Sequence, residues 1–81
     1  MVALLLLAAP AAAAPWNRGV DARADALAAR LDGRGDYHAE FARALADRAV
    51  EEAAQHDLPA ARRFIGMAEQ EADRSMERPG R

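Results

Sequence analysis

From Val20 onward, apolar and polar positions alternate with a helical period in three successive stretches. In the first, Val20, Ala24, Leu27, Ala28 and Leu31 follow at steps of four, three, one and three, which line one face of a helix. The predicted element covers about residues 20–31. Asn17 or Asp21 can supply its start, and Asp32-Gly33-Arg34-Gly35 ends it, because glycine tolerates the positive φ of a helix C-cap and tight connection.

The second stretch predicts a helix over about 37–56, opened by Asp36, whose carboxylate can accept from the unpaired N–H groups of the first turn. Tyr37, Phe41, Leu45, Ala49 and Ala53 recur every four residues, flanked by Ala42 and Ala46. Against a period of about 3.6, a four-residue step drifts by about 40°, so this stripe winds around the helix. Phe41, in the stripe, is expected to be buried. Asp36, Glu40, Arg43, Asp47 and Glu51 cover the other side, with Arg43–Asp47 and Arg48–Glu52 as i,i+4 pairs.

The third helix is predicted over about 59–76, with Asp57 or Leu58 as cap and Pro59 in the first turn, where its missing N–H costs nothing. Ala61, Phe64, Ile65, Ala68, Ala72 and Met76 form its apolar face, and Pro79-Gly80 follows its end. Gly66 lies mid-helix at a cost of about 1 kcal/mol against alanine, so it either permits close helix approach or is tolerated slack. No strand pattern appears. Short connections favour antiparallel neighbours, so the fold class is all-α. The expected form is a small antiparallel three-helix bundle, or a helical hairpin with the first helix packed across it, preceded by a signal-type helix.

Leu31-x-x-x-Gly35-Asp36-Tyr37 resembles the turn of a tetratricopeptide repeat over some thirty residues. The leucine-to-glycine spacing differs by two, and Glu40 stands where that repeat carries a small residue. At most one such unit fits, and a solenoid needs about three, so the resemblance implies turn chemistry and no repeat array.

The stretch before the helices has another character. Residues 1–14 carry no charge and pass from Leu4–Leu7 into an alanine ladder, which reads as a secretory signal peptide with an Ala-x-Ala cleavage site. Fourteen residues reach about 21 Å at ~1.5 Å each, short of the ~30 Å a spanning helix must cross, and Pro10 interrupts them. Proline just past a cut is rejected by signal peptidases, so Ala12 or Ala13 is the expected last residue of the signal. A basic leading region is missing, and a start a few residues upstream would supply one. The expected organisation is then a signal at 1–14, a linker at 15–19, a helical domain at 20–78 and a tail at 79–81, in an exported protein, periplasmic or secreted.

Charge and composition narrow the partners. Thirteen acids and 11 bases give a net charge of −2 with the signs interleaved, which leaves no basic footprint for nucleic acid or anionic lipid. Any membrane association would run through the N-terminal segment, if uncleaved. There is no cysteine to staple a small exported domain, and much of the expected core is alanine. Self-association or a protein partner is the natural way to cover what such a core leaves open.

The chemistry-bearing residues do not assemble along the chain. His38 lies near Asp36 and Glu40, but i and i+2 on a helix point about 200° apart. Glu52 and His56 share a face, yet a structural zinc site wants about four ligands. The histidines stand 18 residues apart on one helix, about 27 Å, and cannot converge within a chain. His38 is therefore expected to be solvated, and His56 to meet the last carbonyls of the second helix. Ser75 has no histidine near it in sequence, Gly33-x-Gly35 is no phosphate loop, and Arg62-Arg63 reads as a solvated pair. Glu51, Glu52, Glu69, Glu71 and Asp73 are expected on solvated faces.

No catalytic residue, cofactor or metal is expected, and no enzyme activity. The function expected is protein–protein contact, with an unknown partner or a second copy, through Tyr37, Phe41, Leu45, Phe64 and Ile65, unless these simply form the internal core. The alternatives are a periplasmic small-ligand or metal-handling protein whose histidines and acids meet across a dimer, and a membrane-tethered helical protein with an uncleaved N-terminus.

Overall fold

The computed structural model describes residues 18–77, so the signal segment at 1–14, Asn17 as a start and the tail at 79–81 lie outside the described residues. Three helices and no strand make up what is described: α1 (Arg18–Leu31), α2 (Tyr37–Ala54) and α3 (Leu58–Met76). The described residues are all-α and compatible with a small helical bundle. The α2–α3 hairpin is its most extensive pairing, and α1 lies against both helices. Arg23 of α1 bonds Glu69 of α3, and Arg30 bonds Asp73, so both helices advance in the same direction while α2 returns between them.

Local chemistry sets each boundary. The Asp36 carboxylate accepts from the Ala39 N–H at 3.3 Å and caps α2, and Asp57 caps α3 by accepting from Ala60 at 3.2 Å, with Pro59 in the first turn. The second helix stops at Ala54 rather than His56 because His56 itself takes a positive φ of 65°. Its N–H then reaches the Ala53 carbonyl at 3.0 Å, and Asp57 N–H reaches Glu52 at 2.9 Å, the paired bonds of a Schellman ending. Between α1 and α2, Gly33 supplies the positive φ, 81°, that turns the chain.

Arg43 completes that corner. Its Nη2 donates to the carbonyl oxygens of Leu31 at 2.8 Å and Arg34 at 2.7 Å. A cation thus meets the C-terminal end of α1, where carbonyls lack helical partners and the macrodipole is negative. The expected Arg43–Asp47 pair is replaced by this inward turn and by a 3.2 Å contact with Glu40, whereas Arg48–Glu52 forms at 2.8 Å.

The core holds five larger aliphatic side chains (Val20, Leu27, Leu31, Leu45 and Ile65) and nine alanines, so α2 and α3 meet largely across small residues. On α2 the buried set is Ala39, Ala42, Leu45, Ala46, Ala49 and Ala53. Only the second half of the four-residue stripe belongs to it. Drift carries the first half outward, and the expected burial of Phe41 is corrected: Phe41 is 37% exposed and Tyr37 72%. Gly66 is not an internal contact point, because a Cβ there would meet nothing within 4 Å.

Candidate functional site

Two features could do work: an aromatic edge at the start of α2, and a polar cluster where the α1–α2 corner meets the end of α3.

The aromatic edge contains part of the expected contact face. Tyr37 and Phe41 stack with ring centroids 5.8 Å apart, and the Tyr37 ring also meets His38 edge-on at 5.3 Å. The one-turn spacing of the two residues creates the stack, since i and i+4 are neighbours on a helix surface. Phe64 is half-buried under the Arg48 guanidinium, 5.5 Å above its ring. Leu45 and Ile65 are core, 7% and 0% exposed. Of the five residues named from the sequence, Tyr37 and Phe41 are therefore displayed, Phe64 is at the border, and two are withdrawn. Met67, 45% exposed, and Val50, 37% exposed, are displayed apolar residues that the sequence reading had not placed on a surface.

The polar cluster was not anticipated. Ser75, with no exposed surface, donates its hydroxyl proton to Asp36 Oδ1 at 2.7 Å and accepts from Arg34 Nε at 2.8 Å. Arg34 Nη2 also donates to the Ser75 carbonyl oxygen at 2.8 Å. The Ser75 hydrogen bond holds the Asp36 carboxyl below the usual aspartate range, helped by the Ala39 N–H and Arg34. Arg34 arrives from the corner, Asp36 from the cap of α2 and Ser75 from the last turn of α3.

One turn earlier on α3, Glu71 is buried, which corrects its expected place on a solvated face. Its Oε1 lies 2.7 Å from His38 Nδ1, and Arg74 Nη1 bonds its Oε2. The His38 contact, with Arg74 next, lowers the Glu71 carboxyl below the usual glutamate range. An ionised carboxylate only accepts, so His38 Nδ1 carries the proton of this bond. His38 is thus a half-buried inter-helix partner and not the solvated first-turn residue expected.

The cluster's chemistry is binding of one helix to another. A nucleophilic serine needs a neighbouring base to take its proton. Here Ser75 has no exposed surface, its proton points at Asp36, which is held below the usual aspartate range and is therefore a weak base, and its oxygen accepts from the Arg34 cation. Among the described residues, no group of three or more His, Cys, Asp or Glu side chains gathers as a metal would require. No described helix is long and apolar enough to cross a membrane.

No protein-family model matches this chain, and no curated protein or solved structure is significantly similar to it.

Proposed function

We propose that this chain is a small exported helical protein that acts by protein–protein contact, with Tyr37 and Phe41 as the anchor of its binding face. One observation carries the reading: two stacked aromatic rings stand at the surface of α2, Tyr37 at 72% exposure, while the polar groups beside them are paired internally. Aromatic side chains offer a large, rigid contact area at low entropic cost, and tyrosine adds a polar tip suited to an interface. A partner covering Tyr37 and Phe41 would remove apolar surface from water without disturbing the core. The export half rests on the uncharged segment 1–14 and its alanine-rich end.

A photo-crosslinking residue installed in turn at positions 37, 41 and 26 in the producing cell tests the contact face, Ala26 being exposed on α1 away from both α2 and its aromatic edge. A discrete adduct at 37 and 41 and none at 26 is expected. Equal labelling at all three positions, or none, would refute the assignment. Intact mass of the protein recovered outside the cytoplasm tests export, with a new N-terminus at Ala13 or Ala14 expected; a soluble product that retains Met1 would refute it.

A further inference from the structure

The bundle is held unevenly around α1. Toward α3, two ion pairs cross the seam, Arg23–Glu69 at 2.6 Å and Arg30–Asp73 at 2.8 Å. Toward α2, no ion pair crosses among the described side chains, and the seam opens into a groove of about 350 Å³. Its floor is apolar (Ala24, Leu27, Ala28, Leu31, Ala46 and Val50), and Asp25 and Asp47 stand on its edges. Asp21 and Glu51 continue these two rows by one helical turn. None of the four carboxylates has a hydrogen-bond or ion-pair partner among the described residues. Arg43, the basic residue of the lining, is turned inward onto the Leu31 and Arg34 carbonyls and Glu40. The groove therefore combines a floor whose deepest residues, Leu27, Leu31 and Ala46, belong to the core, with Val50 as its exposed large apolar side chain and a rim of like charges that repel one another.

The complementary surface is on the same chain. Arg62 and Arg63, both exposed, have no partner among the described residues, and they follow closely on the start of α3. Met67, one turn beyond Arg63 and 45% exposed, sets an apolar side chain beside that cation.

We propose that the α1–α2 groove receives a second copy of this chain, head to tail, with Met67 entering the apolar floor and Arg62 and Arg63 meeting the Asp25 and Asp47 rim. Groove and insert are different surfaces, so the contact is heterologous and a pair of copies leaves one groove and one insert free for further growth. It uses neither Tyr37 nor Phe41, so it stands or falls apart from the face proposed above.

Charge reversal tests it on the whole chain. Sedimentation over about a hundredfold concentration range reads the association. Wild type is expected to grow in mass with concentration, beyond a dimer, and to lose association at high salt. Asp25→Lys/Asp47→Lys and Arg62→Glu/Arg63→Glu are each expected to weaken association about tenfold or more, because paired charges become repulsive. Mixed one to one, these two variants are expected to associate and to grow in alternation, because Arg62 and Arg63 of one meet the native rim of the other while the introduced glutamates meet the introduced lysine rim. Carrying all four reversals in one chain is expected to restore self-association. All substituted positions are exposed, and circular dichroism melts confirm that each variant is folded. Tyr37→Ser is expected to leave association unchanged. A wild type that stays monomeric, association that survives both reversals (as the apolar Leu4–Leu7 segment would produce), or a mixture that fails to pair would each overturn the proposal.

Discussion

Ser75→Ala tests the polar cluster most directly. The substitution removes one oxygen from a fully buried site and leaves the α3 backbone and its helix propensity intact. It deletes the bond to Asp36 Oδ1 at 2.7 Å and the bond from Arg34 Nε at 2.8 Å. A hydrogen bond to a charged group contributes about 1.5–3 kcal/mol. Both ionic partners keep about a third of their side-chain surface exposed, 28% for Arg34 and 33% for Asp36, so water replaces part of what is lost. Arg34 also keeps its bond to the Ser75 carbonyl oxygen. We therefore expect a loss of about 2 kcal/mol, below the sum for two charged bonds. In a domain of this size that lowers Tm by about 8–16 °C.

The assay is a urea melt of wild type, Ser75→Ala, Asp36→Ala and the double variant. Asp36→Ala alone also removes the α2 cap, worth about 1 kcal/mol, so the single variants differ in what they report. The coupling between them isolates the hydroxyl–carboxylate bond and should exceed the ~0.3–0.5 kcal/mol scatter of independent sites. Ser75→Ala as stable as wild type, or a strictly additive double variant, would show that the corner and the end of α3 are not joined through this hydroxyl.

The other expectations separate core from surface and acid from neutral. Ile65→Ala, at a site with no exposure, should cost about 2–5 kcal/mol, whereas Phe41→Ala, 37% exposed, should cost about 1–2; chemical denaturation ranks them, and the reverse order would place the stripe the other way round. Asp36, Glu69 and Glu71 titrate below their usual ranges in the folded chain, so their contribution is present above the unfolded carboxylate pKa of about 4 and is lost as pH falls through the folded values. Urea midpoints should therefore decline on acidification, less steeply for Glu71→Gln than for wild type, and parallel slopes would exclude the His38–Glu71–Arg74 group as a source. Gly66→Ala should raise dilute-solution stability by about 0.5–1 kcal/mol, since the added Cβ meets no neighbour within 4 Å; a lower melting temperature would mean that the helix needs the glycine.

The helices were legible because their signals are local. Asp36 and Asp57 cap elements whose first bonds lie three residues away, and Gly33 turns the chain at the position where the apolar period breaks. Where the reading missed, the competing effect was geometric. Tyr37, Phe41, Leu45, Ala49 and Ala53 are one stripe in sequence, but drift of about 40° per step lets a straight partner cover only part of it. Small residues decided which part. Ala39 and Ala42, small residues beside the stripe, are buried in the core, while two aromatic rings remain outside it. An alanine-rich core is thus hard to read from hydrophobicity, since its interior residues carry weak apolar signals and its larger ones mark the edge.

The polar end of the bundle was illegible for a different reason. Its bonds join residues far apart in sequence: Ser75 lies 39 positions from Asp36 and 41 from Arg34, and Glu71 lies 33 from His38. No spacing rule links such residues, and each alone has an ordinary local role: a cap, a corner arginine, a first-turn histidine or a last-turn serine. What brings them together is the antiparallel return of α3, which places its last turns beside the corner that Gly33 and Arg43 shape. Only after the topology is known does Ser75 acquire two ionic neighbours and Glu71 lose its solvent. Interactions of this kind add little to the choice of helices and much to the choice of register, because sliding α3 by one turn would separate Ser75 from Asp36 and Glu71 from His38 at once. In a core built mostly of alanine, whose small side chains discriminate weakly between registers, the polar end fixes the alignment that the apolar stripe leaves underdetermined.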